Sequence, residues 1–189
     1  MTTTASTKSG LGLASGVVSE LSAVLTVREG CEQQVREALG RFHARVANAP
    51  RPAIQRIGIR TMRYVVFDGG HRLMWLTSFE TDWDPYIDDA LELIGLRSWV
   101  DWLVQTEEFH QAFGGKDVDS VTNAEVKAFL QSAQVTAAAF FDCFGDATMP
   151  QVFKDQEVSA AFESVLEDPK AEEALSHPTL APLLEQASA

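Results

Sequence analysis

The chain has 189 residues, 46% of them hydrophobic, with a formal net charge of −12 and a pI near 4.7. That supply of apolar side chains builds one sizeable core and excludes a disordered protein. The acidic balance, with no run of Lys or Arg, argues against nucleic acid and against an anionic membrane surface as partners.

Residues 1–18 are read as a flexible tail: the first sixteen are mostly Thr, Ser, Gly and Ala with one lysine, and lack the basic cluster and apolar run of a secretory signal. Residues 20–27 alternate and are rich in small and β-branched apolar side chains, which predicts a strand. After Glu29-Gly30, the positions Val35, Leu39, Phe42 and Val46 line one face of a helix that starts at Cys31. Pro50 and Pro52 end it. Residues 57–67 and 73–79 are two apolar, aromatic-rich runs around Asp68-Gly69-Gly70-His71. The Gly-Gly centre supplies the positive φ angles of a two-residue hairpin turn. That turn sets Tyr64 opposite Trp75, Arg63 opposite Leu76 and Met62 opposite Thr77.

Asp84-Pro85 predicts the cap and first residue of a helix carrying Ile87, Leu91 and Ile94, stopped at Gly95. Helical segments continue over residues 97–113. Thr122 and Glu125 have capping-box spacing for a short helix to Leu130. Residues 134–144 are predicted as the fourth strand, and a helix from Pro150 carries Val158, Phe162 and Val165. Asp168-Pro169 closes it, leaving residues 169–189 as a helical tail. No apolar stretch approaches the roughly 20 residues needed to span a bilayer. Cys31 and Cys143 form neither a CxxC pair nor a disulfide framework, so a reducing, cytoplasmic location is expected.

Strand, helix, hairpin, helix, strand over residues 19–168 is the ferredoxin-like order. The expected fold is α+β: a βαββαβ unit with an antiparallel sheet, extra helices before its last strand and more at the C-terminus. Such a sheet packs its helices on one face. Here both sides of the hairpin are apolar, with Met62, Tyr64, Val66, Leu73, Trp75 and Phe79 on one and Val65, Phe67, Met74 and Leu76 on the other. A second apolar face needs a cover. Either a second copy provides it, giving a dimeric α+β barrel, or the extra helices within residues 97–130 or after residue 169 do. The homodimer is favoured, since two-fold dimers are the commonest assembly.

The segment around the hairpin resembles a poorly characterised bacterial family of the ferredoxin-like, dimeric α+β barrel superfamily. An Arg-aromatic-apolar strand there leads to a Ser-aromatic-Asp-Gly-x-Trp-x-x-Tyr-x-Asp-Asp segment. Arg63, Tyr64, Ser78, Phe79, Trp83, Tyr86, Asp88 and Asp89 match it, while Arg60 stands where a histidine is expected and Glu80-Thr81 replaces Asp-Gly. The superfamily includes heme peroxidase-like enzymes, small monooxygenases and polyketide cyclases. The resemblance therefore implies a ligand between the sheet and its cover, and no particular reaction.

Arg63, central in an apolar strand, is the candidate catalytic residue. It would hold a carboxylate, phenolate or enolate oxygen of a ligand, or else form a structural ion pair with Asp88, Asp89 or Glu92. Met62, Tyr64, Trp75 and Phe79 are the candidate substrate-binding wall, with ordinary core as the plainer reading. His43, His71, His110 and His177 have no metal-ligand spacing. His110, bracketed by Phe109 and Phe113, is the candidate axial ligand should the cofactor be heme. The acidic residues around Asp84 and Asp88 lack the spacing of a calcium loop. Two kinds of function remain. One is a small-molecule enzyme that binds an apolar or aromatic substrate for oxidation or cyclisation, heme-dependent in one variant. The other is a non-catalytic ligand-binding or assembly module.

Overall fold

A computed structural model describes residues 11–187. The sheet contains β1 (Ala14–Ser15), β2 (Val18–Thr26), β3 (Ile59–Phe67), β4 (Arg72–Phe79) and β5 (Gln134–Val135). All pairs are antiparallel; the path is β1-β2-β4-β3, with β5 joining β2 on the edge that β1 also uses. The helices are α1 (Glu32–Ala47), α2 (Arg51–Ile57), α3 (Trp83–Ile94), α4 (Leu96–Leu103), α5 (Glu107–Phe113), α6 (Asn123–Ser132), α7 (Met149–Leu166), α8 (Glu172–Leu175) and α9 (Ala181–Ala187). The fold is thus mixed α+β, with a small open antiparallel sheet.

The hairpin register is the expected one: Tyr64 faces Trp75, Arg63 faces Leu76 and Met62 faces Thr77. The turn differs. It is a four-residue loop between Phe67 and Arg72, closed by the His71 N–H donating to the Asp68 carbonyl at 3.1 Å. Gly69 and Gly70 take φ of 65° and 103°, the left-handed values for which glycine is suited. Near the other end a bulge between Ile59 and Thr61 inserts Arg60 as an extra residue, and bulges re-aim the side chain they carry.

The strand expected over residues 134–144 is a correction. Only Gln134 and Val135 pair, with Ala23 and Ser22. The same edge of β2 is already in use on either side. Toward its start β1 pairs with Val18 and Ser19. Toward its end the Thr26 N–H donates to the Glu108 carboxylate, and Val27 bridges Thr106 at the start of α5. A complete ferredoxin-like sheet is therefore not formed. The tail expected over residues 1–18 is also shortened, since Ala14 and Ser15 are strand; residues 1–10 lie outside the described residues.

Two helix boundaries shift for local reasons. Pro50 and Pro52 do end α1, but they also open α2, because proline's fixed φ suits a first helical turn. α3 starts at Trp83 with Asp82 at its cap position rather than at Pro85, which lets Trp83 join the buried stripe of Tyr86, Ile87, Ala90, Leu91 and Ile94. Thr122 and Glu125 form the capping box as expected.

The core lies on one face of the sheet. Leu21, Ala23, Leu25, Leu73, Trp75 and Phe79 point to it. α1 contributes Phe42, α3 contributes Tyr86, and α4 contributes Trp99 and Trp102. The extra helix α4 thus enters the same layer as α1 and α3: Trp99 meets Trp75 at 5.2 Å and Phe42 at 4.9 Å between ring centroids, both edge-on. It does not cross to the other face.

The chain divides into two compact units after Met149. The second begins at Pro150, within α7, rather than at the expected boundary of 168/169. None of the residues of α7 is buried, and Val158 is 59% exposed, so the face of Val158, Phe162 and Val165 is not a core stripe. Among the described residues, no helix is long and apolar enough to cross a membrane.

Candidate functional site

The period of two along β3 separates the residues that the sequence grouped as one site. Tyr64, Trp75 and Phe79 face the helices. Trp75 and Phe79 are fully buried, and Tyr64 and Met62 pack half-buried against the same core. Tyr64 stacks on Trp75 at 6.2 Å and meets Phe42 and Trp102 edge-on, while Phe79 stacks on Tyr86 at 4.1 Å. These rings fill space against each other. The plainer reading of the aromatic set, core, is the one the packing supports. It includes Tyr64 Oη, Trp75 Nε1 and Trp102 Nε1, buried without a hydrogen-bond partner among the described residues. Burial raises the Tyr64 phenol well above its ordinary value of 10, with a smaller push from Tyr86. Burial likewise raises Tyr86, against which its hydrogen bond with the Thr77 hydroxyl acts in the opposite direction.

Arg63 faces the other way and is exposed. It makes no ion pair among the described residues, so the expected bridge to Asp88, Asp89 or Glu92 is a correction: those side chains belong to α3, on the opposite face. The buried guanidinium is that of Arg60, which the bulge turns toward residues 142–147. Its side chain is 7% exposed; Nε donates to Glu80 Oε1 and Nη1 to Asp142 Oδ1, both at 2.9 Å. It also donates to the carbonyls of Phe144 and Ala147. Glu80, equally buried, accepts from the Met149 N–H as well. This network clamps the loop that follows β5.

That clamp shapes a groove on the outer face of the sheet, about 520 Å³ in volume, within the usual 300–1,000 Å³ of small-molecule sites. Its floor is polar and drawn from three strands: Glu20 and Ser22 of β2, Ser78 of β4 and Thr61 of β3. Leu76, Ala137, Ala139 and Phe140 form apolar walls, and of the candidates drawn from the sequence Arg63 and Met62 both stand among the lining residues. Glu20 is only 5% exposed; its two oxygens accept from the Leu13 N–H at 3.0 Å and the Ser22 hydroxyl at 2.8 Å. The Thr61 and Ser78 hydroxyls are hydrogen-bonded to each other at 2.6 Å. Sequence reasoning missed Glu20, Ser22, Thr61 and Ser78. The alternation that put Arg63 and Leu76 on one face carried the signal, but the pairing of β2 with β4 was needed to bring Glu20 beside Ser78.

No family model, curated protein or solved structure matches the chain. The resemblance around Arg63 and Tyr64 thus stands on those residues alone.

The remaining candidates fall elsewhere. His110 is exposed and lines a separate pocket of about 180 Å³ with Arg28, Phe109 and Phe113, below the size of an ordinary ligand site. Asp84 and Asp88 are held by Lys127 at 3.1 and 2.7 Å. Among the described residues no group of His, Cys, Asp and Glu is arranged to hold a metal ion. Cys31 is half-buried and Cys143 exposed, both free thiols.

Proposed function

We propose that the chain binds a small aromatic molecule carrying an anionic oxygen, in the groove on the outer face of the sheet. The observation that carries this is Arg63: a guanidinium with no ion-pair partner among the described residues, at the wall of a groove with a hydroxyl floor. Its fork geometry suits the two oxygens of a carboxylate. Ser22, Thr61 and Ser78 offer hydrogen bonds to further polar groups on the ring, and Leu76 and Phe140 cover its faces. The lining residues include neither His nor Cys, and both oxygens of Glu20 are engaged, so the groove is better suited to holding and polarising a molecule than to attacking it. Oxidation or cyclisation, with Arg63 stabilising an enolate or phenolate, is the enzymatic form of this proposal, supported by the residues shared with the barrel family. Its ferredoxin-like part is supported by the pairing of β5 with β2. Heme is not part of it, since His110 lies at the small separate pocket.

The test is calorimetric titration with 4-hydroxybenzoate, salicylate and their uncharged amides. The acids bind and the amides bind at least about tenfold more weakly, the size of a lost charge-assisted hydrogen bond. Arg63→Ala removes the difference. Equal binding of acids and amides, or binding unchanged in Arg63→Ala, sinks the proposal.

A second reading, self-assembly through the same face, is favoured by a specific observation. Val65 and Phe67 are 40% and 37% exposed beside half-buried Met74 and Leu76, an apolar surface of the kind that marks contact sites. Sedimentation of wild type against Val65→Glu decides it: a dimer that the variant abolishes supports assembly, and a monomer in both leaves the groove a site within one chain.

A further inference from the structure

A second groove, sharing no residue with the first, lies between α1 and the start of α4. Its volume is about 680 Å³. The floor is apolar: Phe42, Val100 and Val121 are buried, and Leu96 and Val104 are half-buried. The rim is charged in an uneven way. Arg41 and Arg45, four residues apart on α1, share one helix face, and Arg97 stands across from them. Arg41 forms a two-bond pair with Asp101, at 2.9 and 3.1 Å, and Arg97 pairs with Asp119. The Arg45 guanidinium has no hydrogen bond or ion pair among the described residues. Its Nη2 lies 3.5 Å from where a Cβ on Gly95 would stand, so the guanidinium rests against the α3–α4 turn, where Gly95 has φ +87°.

Two of three arginines are therefore matched, and one positive charge is left over an apolar floor, in a chain whose net charge is −12. The complement to that arrangement is a single anionic head on an apolar body. A carboxylate matches the planar guanidinium with two parallel hydrogen bonds. A dianionic phosphate leaves one charge unmatched unless an Asp pair breaks. We propose that this groove binds an apolar monocarboxylate, with Arg45 holding the head and Phe42, Val100 and Val104 receiving the body. It differs from the ligand of the sheet groove, whose hydroxyl floor calls for a ring bearing several polar groups.

The experiment is titration of the full chain with octanoate and with 1-octanol, which share one apolar body. Octanoate is expected to bind and octanol to bind at least about tenfold more weakly. Arg45→Gln is expected to reduce octanoate affinity to the octanol level with no change in melting temperature, and Arg63→Ala to leave it unaltered. Should Arg45→Gln fold poorly, Val118→Glu serves instead. Residue 118 lines the groove and is 46% exposed, so the added carboxylate weakens octanoate binding without disturbing the core. Octanol binding as tightly as octanoate, full affinity in Arg45→Gln or Val118→Glu, or no heat at millimolar octanoate overturns the proposal. Affinity lost in Arg63→Ala but kept in Arg45→Gln assigns the binding to the sheet groove and overturns it too.

Discussion

Trp75 and Leu76 are adjacent in β4, yet they live in different environments. Trp75 is fully buried, with Tyr64 stacked beside it and Trp99 and Trp102 edge-on above. Leu76 is half-buried on the opposite face, between Ser22 and Arg63 in the sheet register. The same contrast runs along the hairpin: Tyr64 against Arg63, Val66 against Val65. Both faces carry apolar residues, but α1, α3 and α4 all pack on one of them. An apolar residue in a strand therefore shows only that its face prefers cover; helix placement decides which face becomes core and which stays open for a ligand or a second subunit.

The sharpest way to break this contrast is truncation on each side. Trp75→Ala is expected to cost about 3–5 kcal/mol, the range for removing a large buried ring. Leu76→Ala is expected to cost about 1 kcal/mol or less, because its surroundings are already open. Denaturant unfolding of both variants checks it, and equal losses remove the distinction between the faces.

Next in size is the clamp that shapes the open face. Arg60→Leu leaves the buried Glu80 carboxylate without its cation, and breaking such a pair costs about 3–5 kcal/mol. Adding Glu80→Leu removes the stranded charge and is expected to recover part of the loss, which a double-mutant cycle reads directly.

A smaller effect comes from pH. Tyr64 and Tyr86 are the only tyrosines, and burial raises both phenols in the folded chain. A raised folded value contributes stability that is fully present below the unfolded value of about 10 and lost as pH rises toward the folded one. Stability is therefore expected to fall from pH 10 upward, with tyrosinate absorbance appearing together with unfolding. Half of that absorbance appearing near pH 10 with the fold intact contradicts the burial of Tyr64 or Tyr86. At the acid end, Lys116 and the Thr122 cap hold the exposed Glu125 carboxyl down to about 2. The α6 cap is accordingly expected to be lost as pH falls from about 4.5 to 2, a change local to residues 122–126.

Much of the inner face was legible because periodicity reports burial directly. Val35, Leu39 and Phe42 kept the helical stripe, and Tyr64 and Trp75 kept their register because a Gly-Gly turn flanked by alternating strands leaves little freedom. What failed depended on competition between distant segments. Residues 134–144 have the composition of a strand, but in the antiparallel register set by Gln134 and Ala23 the later residues run toward Ser19 and Val18, whose free edge Ala14 and Ser15 already occupy. Arg63 looked like a buried charge because its strand neighbours are apolar. Its side chain follows the strand parity to the open face, and the buried cation is Arg60, placed by a bulge that has no sequence signature here. The groove floor of Glu20, Ser22, Thr61 and Ser78 arises only when three strands align.

The most direct measurement is methyl-resolved NMR during titration with 4-hydroxybenzoate, on wild type and Arg63→Ala. The account predicts saturable shifts at the methyls of Leu76, Ala137 and Ala139, little change at Leu73 and Leu25 beneath the helices, and at least about tenfold weaker binding in the variant. Shifts confined to the inner-face methyls, or binding that Arg63→Ala leaves intact, contradict the claim that the open face of the sheet is the functional one.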